Sequence, residues 1–322
     1  MDIVACIDNK YVMPTGVMIY SACANNAQGS LTFHIVIDES VTVDNQQKLA
    51  NTVTPFGNQI CFYKVDSTPF RSFPALSERK IITQATYYRL FLTEILPQSV
   101  DKVIYLDGDI IVRQSLKELW STDMTGFAVA AVTDKNEKQI CYGSKEFRLG
   151  YPPYLGYFNA GVLLINLDYW RIHRVLNDFM EMIENRSDSI KSHDQDVLNY
   201  CFREKKRQLP FQYNVQDGFL YKTPKYDFGK YKHEILEARR NPVIIHYTGS
   251  KPWWTYNRHP HPWRSSFFKY RNQTVWKNDS LWEMRPWHER LKKHVALTLR
   301  RWEFIPELPP NGCEFTDIFP LD

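Results

Sequence analysis

The chain has 322 residues, enough for one large or two modest domains around a sizeable core. Hydrophobic residues at 43% and charged residues at 24% are the values of a soluble globular protein. A formal net charge of +4 is too small for a general nucleic-acid binder, so no nucleic-acid partner is expected.

Six cysteines (Cys6, Cys23, Cys61, Cys141, Cys201 and Cys313) lack C-x-x-C spacing, which argues against a zinc site or a disulfide framework. They fit reduced thiols in a cytoplasmic enzyme. The opening MDIVACIDNK has no basic n-region or long apolar run, and no stretch of about 18 apolar residues follows, so a cytoplasmic location is expected. Aromatic residues reach 15%, much of the excess after residue 200. Such rings suit either sugar faces or ordinary packing.

The first 65 residues alternate between periods. Asp2–Ile7 reads as a buried strand, Pro14 opens a helix to about Ala27, and Leu31–Ile37 is a second strand. Thr42–Val53 is a second helix with Gly57 as its stop, and Gln59–Val65 a third strand. That order predicts a parallel sheet with crossover helices. A helix over Thr83–Ile95 leads to the apolar strand Lys102–Leu106. Phe127–Val132 and Gly161–Leu167 are further strands, and Asp168 caps a helix to about Glu184. A shorter helix covers Gln195–Arg203, and Val243–His246 is one more strand.

Ligands of open α/β sheets bind beyond the carboxyl ends of strands, which draws attention to Asp8, Asp107, Asp109 and His246. Asp107-Gly108-Asp109 lies between the apolar runs KVIYL and IIV. Two carboxylates on one turn repel unless a cation sits between them, and oxygen ligands select a hard ion such as Mg²⁺ or Mn²⁺. A diphosphate leaving group is a fitting partner for that ion. The bland alternative is a solvated acidic turn. His246 opens HYTGSKPW after VII and offers a third ligand, with Lys251 a cation for phosphate oxygens and Gly249 a point of close backbone approach. Two aspartates and a histidine favour Mn²⁺ slightly over Mg²⁺.

Six ordered blocks, MDIVACIDNKYV, TYYRLFL, YLDGDIIV, YFNAGVLLINL, HDQDVLN and HYTGSKPW, resemble glycosyltransferase family 8 over roughly residues 1–255. These retaining enzymes include glycogenin and bacterial lipopolysaccharide glucosyl- and galactosyltransferases, and the lipo-oligosaccharide galactosyltransferase branch is the most similar. The resemblance implies an α/β fold of GT-A type: one Rossmann-like nucleotide-sugar-binding domain with a mostly parallel central sheet over 1–255. Residues 256–322 are expected to form an aromatic, basic, helical extension.

It also implies roles. Asp8 and Tyr11 match uracil-binding residues, and Arg89 a basic residue that reaches the donor sugar and phosphates. Asp107, Asp109 and His246 match the metal ligands. Asn159, Ala160 and Gly161 match a loop lining the sugar pocket, and Asp194 and Gln195 the catalytic pair beneath the sugar. Gly249 and Lys251 match diphosphate contacts, though this motif is one residue shorter than the usual H-x-x-G-x-x-K-P-W. Each has a plainer reading: Asp194 as a helix cap, Asn159 as a turn residue, Tyr11 as a surface aromatic.

The function implied is transfer of a hexose from UDP-glucose or UDP-galactose to a glycan or lipid-linked saccharide acceptor. That acceptor is a lipopolysaccharide or surface-glycan precursor, contacted by loops over Lys135–Tyr154 and Gln212–Lys232. Retention by double displacement would need a carboxylate nucleophile such as Asp194. Internal return needs none and is the preferred expectation. The rival is a non-catalytic UDP-sugar or carbohydrate-binding protein of transferase-like fold; nucleotidyltransferases and D-x-D phosphohydrolases fit poorly. Over Trp282–Phe304, Leu291, Val295, Leu299 and Trp302 recur at helical steps among basic residues. This is either a helix packed on the catalytic domain or one lying peripherally on the inner face of the membrane.

Overall fold

The computed structural model describes residues 1–68, 70, 73, 84–144, 146–222, 229–255 and 261–282, with single positions at 295, 298, 314 and 315. The helix expected over Trp282–Phe304 lies outside the described residues apart from three positions. Among the described residues no helix is long and apolar enough to cross a membrane.

The strands are β1 (Asp2–Ile7), β2 (Thr32–Ile37), β3 (Gln59–Lys64), β4 (Lys102–Leu106), β5 (Ile110–Val112), β6 (Val129–Thr133), β7 (Phe158–Asn166), β8 (Lys206–Gln208), β9 (Val215–Gln216), β10 (Tyr221–Lys222), β11 (Ile244–His246) and β12 (Glu314–Phe315). Seven form the central sheet in the order β3-β2-β1-β4-β7-β6-β8. β1, β2, β3 and β4 run parallel, β7 is antiparallel to β4 and β6, and β8 is parallel to β6. The mostly parallel α/β sheet expected from the sequence is therefore present.

Parallel strands covered on both faces read as continuous apolar runs because both alternating sets are buried. In β1, Ile3, Ala5 and Ile7 enter one core and Val4 the other; in β4, Ile104 and Leu106 oppose Val103 and Tyr105. The helix Val12–Ala24 covers the first face, and Trp263, Phe267 and Trp276 join the same core. The helix Val43–Val53 starts where Thr42 Oγ1 accepts from the Asn45 amide at 3.2 Å. Gly57, at φ 66°, ends the following turn in a conformation that costs a Cβ-free residue little.

Several boundaries differ from expectation. The first helix runs from Val12 to Ala24. Within 83–95 the described chain has two short helices, Ala85–Tyr88 and Leu92–Ile95, separated by a tighter turn. The side-chain cap before residue 167 is Asn166, which accepts from the Tyr169 amide at 3.0 Å, rather than Asp168. The helix that follows stops at Ile172, and Arg174 at φ 50° restarts it as Val175–Asn185. The strand expected from Gly161 begins at Phe158, so Asn159, Ala160 and Gly161 are strand residues and not a loop.

Candidate active site

The head of the sheet is an open cleft of about 840 Å³ that gathers every site residue expected from the sequence. Strand register brings the acidic turn and His246 together. Asp107 follows β4, and its amide donates to Gly161 O of β7 at 2.9 Å. β11 pairs antiparallel with β5, His246 opposite Ile110, and the Tyr247 amide donates to Asp109 O at 3.0 Å. One ligand atom from each of Asp107, Asp109 and His246 lies within 4.8 Å of the others. His246 Nε2 stands 3.3 Å from Asp109 Oδ1 and 3.8 Å from Asp107 Oδ2.

Hydrogen-bond direction fixes the tautomer of His246. The Gly161 amide donates to Asn159 Oδ1 at 3.1 Å, and Asn159 Nδ2 donates to the Asp134 carboxylate at 3.0 Å. Asn159 Oδ1 is therefore an acceptor, and Asn214 Nδ2 donates to it at 2.9 Å. Asn214 Oδ1 then accepts from Nδ1–H of His246 at 3.0 Å. The remaining ring nitrogen, Nε2, faces Asp109 Oδ1 with its lone pair. Asp109 Oδ1 is buried and accepts no hydrogen bond among the described residues. Two facing acceptors with no proton between them are the complement of a divalent cation. The neighbourhood also leaves room only for a residue without a side chain at 161, because a Cβ there would press on the His246 ring and Asp107 Oδ2. The donor set thus fits a divalent metal.

Asp109 is buried, which alone would raise its pKa, yet the Lys251 ammonium holds it well below the usual carboxylate range. Lys251, although its motif is one residue short, reaches Asp109 Oδ2 and Tyr247 O. The space in front of Gly249 is taken by the Asp217 carboxylate, which also pairs with Lys135 at 2.5 Å. A Cβ at Gly108 would likewise press on Thr15 and Tyr11. The Asp8 carboxylate accepts from the Tyr11 amide at 3.1 Å, and the Tyr11 ring stands edge-on to Trp253 and Trp282.

Arg89 is buried beneath the cleft. Its guanidinium donates to Ala160 O at 2.6 Å and Asp107 Oδ1 at 3.0 Å, pairs with Asp194 Oδ2 at 2.9 Å, and lies 4.1 Å above the Tyr105 ring. It therefore ties the acidic turn Asp107–Asp109 to the helix His193–Cys201. Asp194 sits in the first turn of that helix, whose preceding residue, Ser192, makes no side-chain cap. Burial pushes the Asp194 carboxyl up to about 6, against the opposing charge of Arg89, and Thr86 donates to its other oxygen.

Every polar position of the Gln195 amide is in use. Oε1 accepts from the Ala160 amide at 2.8 Å and Asn159 Nδ2 at 3.3 Å, while Nε2 donates to Asp134 at 3.3 Å and Tyr157 at 3.2 Å. Beneath it, Asp196 is wholly buried and accepts from Tyr157 (2.6 Å), Arg148 twice (2.6 and 2.7 Å) and the amides of Lys191 and Ser192 (2.7 and 2.6 Å). That cluster holds the turn in which His193 takes φ 52° directly before Asp194. Sequence reading did not single out Thr86, Asp134, Tyr157, Asp196 or Asn214. Thr86, Tyr157 and Asp196 lie inside the blocks TYYRLFL, YFNAGVLLINL and HDQDVLN, whereas Asp134 and Asn214 carried no local signal.

A sheet that ends in a candidate metal site of two carboxylates and an imidazole beside a nucleotide-sized cleft fits a metal-assisted transferase of the sugar-nucleotide class. The description of glycosyl transferase family 8 matches residues 2–256. General stress protein A of Bacillus subtilis is 30% identical over 281 residues, 86% of this chain and 94% of that protein. A lipopolysaccharide 1,2-glucosyltransferase of Escherichia coli is 31% identical over 299 residues, 89% and 81% of the two chains. The crystal structure of the galactosyltransferase LgtC with donor and acceptor sugar analogues superposes with a TM-score of 0.71 at 28% identity, covering 85% and 96%. The chain belongs to glycosyl transferase family 8 and is a hexosyltransferase.

Proposed function

We propose that this enzyme transfers glucose or galactose from its UDP-sugar to a glycan acceptor, with Mn²⁺ held by Asp107, Asp109 and His246. The observation that carries the reading is the convergence of these three ligands around the unpartnered Asp109 Oδ1 at the cleft. The metal would supply charge neutralisation for the departing diphosphate. Lys251, paired with Asp109, is a side-chain cation positioned to add to it. Asp8 and Tyr11 at the cleft's edge suit the uracil ring, and Ala160 and Gly161 suit close passage of the sugar. The kinds of relatives found, one of them a lipopolysaccharide glucosyltransferase, support a lipopolysaccharide or similar surface glycan as acceptor.

The preferred path retains anomeric configuration by internal return. The bond from the anomeric carbon to the phosphate oxygen breaks, the acceptor oxygen bonds to the same face, and the acceptor proton passes to the departing phosphate. Two features support this over attack by the protein. Gln195 is an amide with all four hydrogen-bonding positions engaged, and Asp194 accepts from Thr86 through one oxygen and is ion-paired with Arg89 through the other. The basic helical spacing over Trp282–Phe304 supports peripheral contact with an anionic membrane, which co-sedimentation with anionic vesicles tests. The main reading is tested by UDP release from UDP-glucose and UDP-galactose in Mn²⁺ and in chelator. Release from one of them, abolished by chelator, is expected; metal-independent release would contradict it.

A further inference from the structure

A second cavity, of about 460 Å³, opens beside the donor cleft, and Asp134 and Lys135 line both. Its volume lies within the roughly 300–1,000 Å³ typical of small-ligand pockets. The shared wall is close to the chemistry: the Asp134 carboxylate that borders the cavity is the one that accepts from Gln195 at 3.3 Å. An acceptor offering a hydroxyl to the donor sugar near Gln195 would leave the cleft across this wall.

The lining combines two kinds of surface. Tyr142 and Tyr154 stand at the mouth with 59% and 79% of their surface exposed, so neither ring is spent on core packing. Tyr231 and Phe158 continue the aromatic surface inward. The polar side holds Glu137, Gln208 and Lys206, a mixture of donors and acceptors. Lys206 carries three donors, one of which goes to Gly156 O at 3.0 Å. Charge is nearly balanced, since Asp134 and Glu137 face Lys138 and Lys206 while Lys135 is bound to Asp217. Balanced charge disfavours an anion, and the polar side disfavours an acyl chain. Aromatic faces beside alternating donors and acceptors match a hexose ring, which is apolar on its C–H faces and polar at its edge.

We propose that this cavity is a second saccharide subsite, holding the neutral sugar unit of the acceptor that adjoins the unit receiving the hexose. The proposal rests on the donor-cleft reading above and deepens it by requiring an acceptor of at least two sugars.

The test uses the full chain, fluorescently labelled and loaded with UDP and Mn²⁺, on an array of mono-, di- and trisaccharides. The wild type should retain particular di- or trisaccharides in preference to their constituent monosaccharides. Tyr154→Ala and Lys206→Met should each weaken that retention by about fivefold or more, the size expected of one ring or polar contact. Tyr154→Phe should keep it, and UDP affinity, measured separately by calorimetry, should stay within about twofold of wild type because neither residue touches the donor cleft. Monosaccharides retained as well as disaccharides, a pattern unmoved by Tyr154→Ala and Lys206→Met, or no retained glycan despite intact UDP binding would each overturn it. Failure of the wild type to bind UDP would instead remove the donor-cleft reading on which the subsite depends.

Discussion

Asn214 accepts a hydrogen bond from Nδ1 of His246 at 3.0 Å, and this contact leaves Nε2 to face the two aspartates. Both side chains are buried, so no water stands ready to replace the contact. Asn214→Leu should weaken Mn²⁺ binding by about 10- to 100-fold, the usual effect of losing a partner behind a metal-bound histidine. Asn214→Asp keeps the acceptor but loses the donor to Asn159, and should fall between. Electron paramagnetic resonance of free Mn²⁺ reads both. Equal affinities in all three proteins would remove Asn214 from the site.

Gly161 gives a steric test of the same cluster. Gly161→Ala should cost about 1–3 kcal/mol by overpacking and displace His246 or Asp107, with Mn²⁺ binding lost while far-ultraviolet circular dichroism is retained. Gly126→Ala is the control: its φ is 78° but the space before it is open, so it should lower stability without moving metal affinity.

Asp196 has five donors and no exposure. Asp196→Asn turns one acceptor oxygen into a donor facing donors and leaves Arg148 without its counter-charge. The expected loss is about 3–5 kcal/mol, read as a lowered midpoint in denaturant. A change below about 1 kcal/mol would mean the cluster is not a structural centre.

His261 makes the stability depend on pH. Burial lowers its pKa from 6.5 to about 3, against the pull of Asp217. Between those values the unfolded chain binds a proton that the folded chain does not. The contribution is intact above pH about 6.5 and declines as pH falls, by about 1.4 kcal/mol per unit in the steep region. His261→Leu, whatever its absolute cost, should flatten the acid limb between pH 6.5 and 5 relative to wild type. Parallel limbs would show that His261 is not buried neutral.

The parts of the fold that were legible are those whose signal is local. β1 and β4 match the expected Asp2–Ile7 and Lys102–Leu106 because apolar runs bounded by charged residues leave little choice of frame. Asn159-Ala160-Gly161 did not read as strand because a polar side chain, a small one and none carry no apolar pattern; tertiary pairing of Phe158 with Thr133 decides it. The helix restart at Arg174 has no glycine or proline to mark it. The proposed metal ligands could be read from a strand end, a glycine between two acids and a histidine after an apolar run. Their support could not, because Asn214 is 32 residues from His246 and 55 from Asn159. The same distance in sequence hid what Arg89 does. Beside the expected reach to the donor sugar and phosphates, Arg89 lines the cleft and is bound between Asp107 and Asp194, 18 and 105 residues away.

The central claim is that Asp107, Asp109 and His246 bind a divalent metal that in turn binds a uridine diphosphate. Calorimetric titration of UDP into wild type and Asp109→Ala, each with Mn²⁺ and with chelator, tests it most directly. The account predicts tight binding to wild type with Mn²⁺ alone, and a loss of about 10-fold or more in the other three conditions. Equal UDP affinity in all four conditions would contradict it.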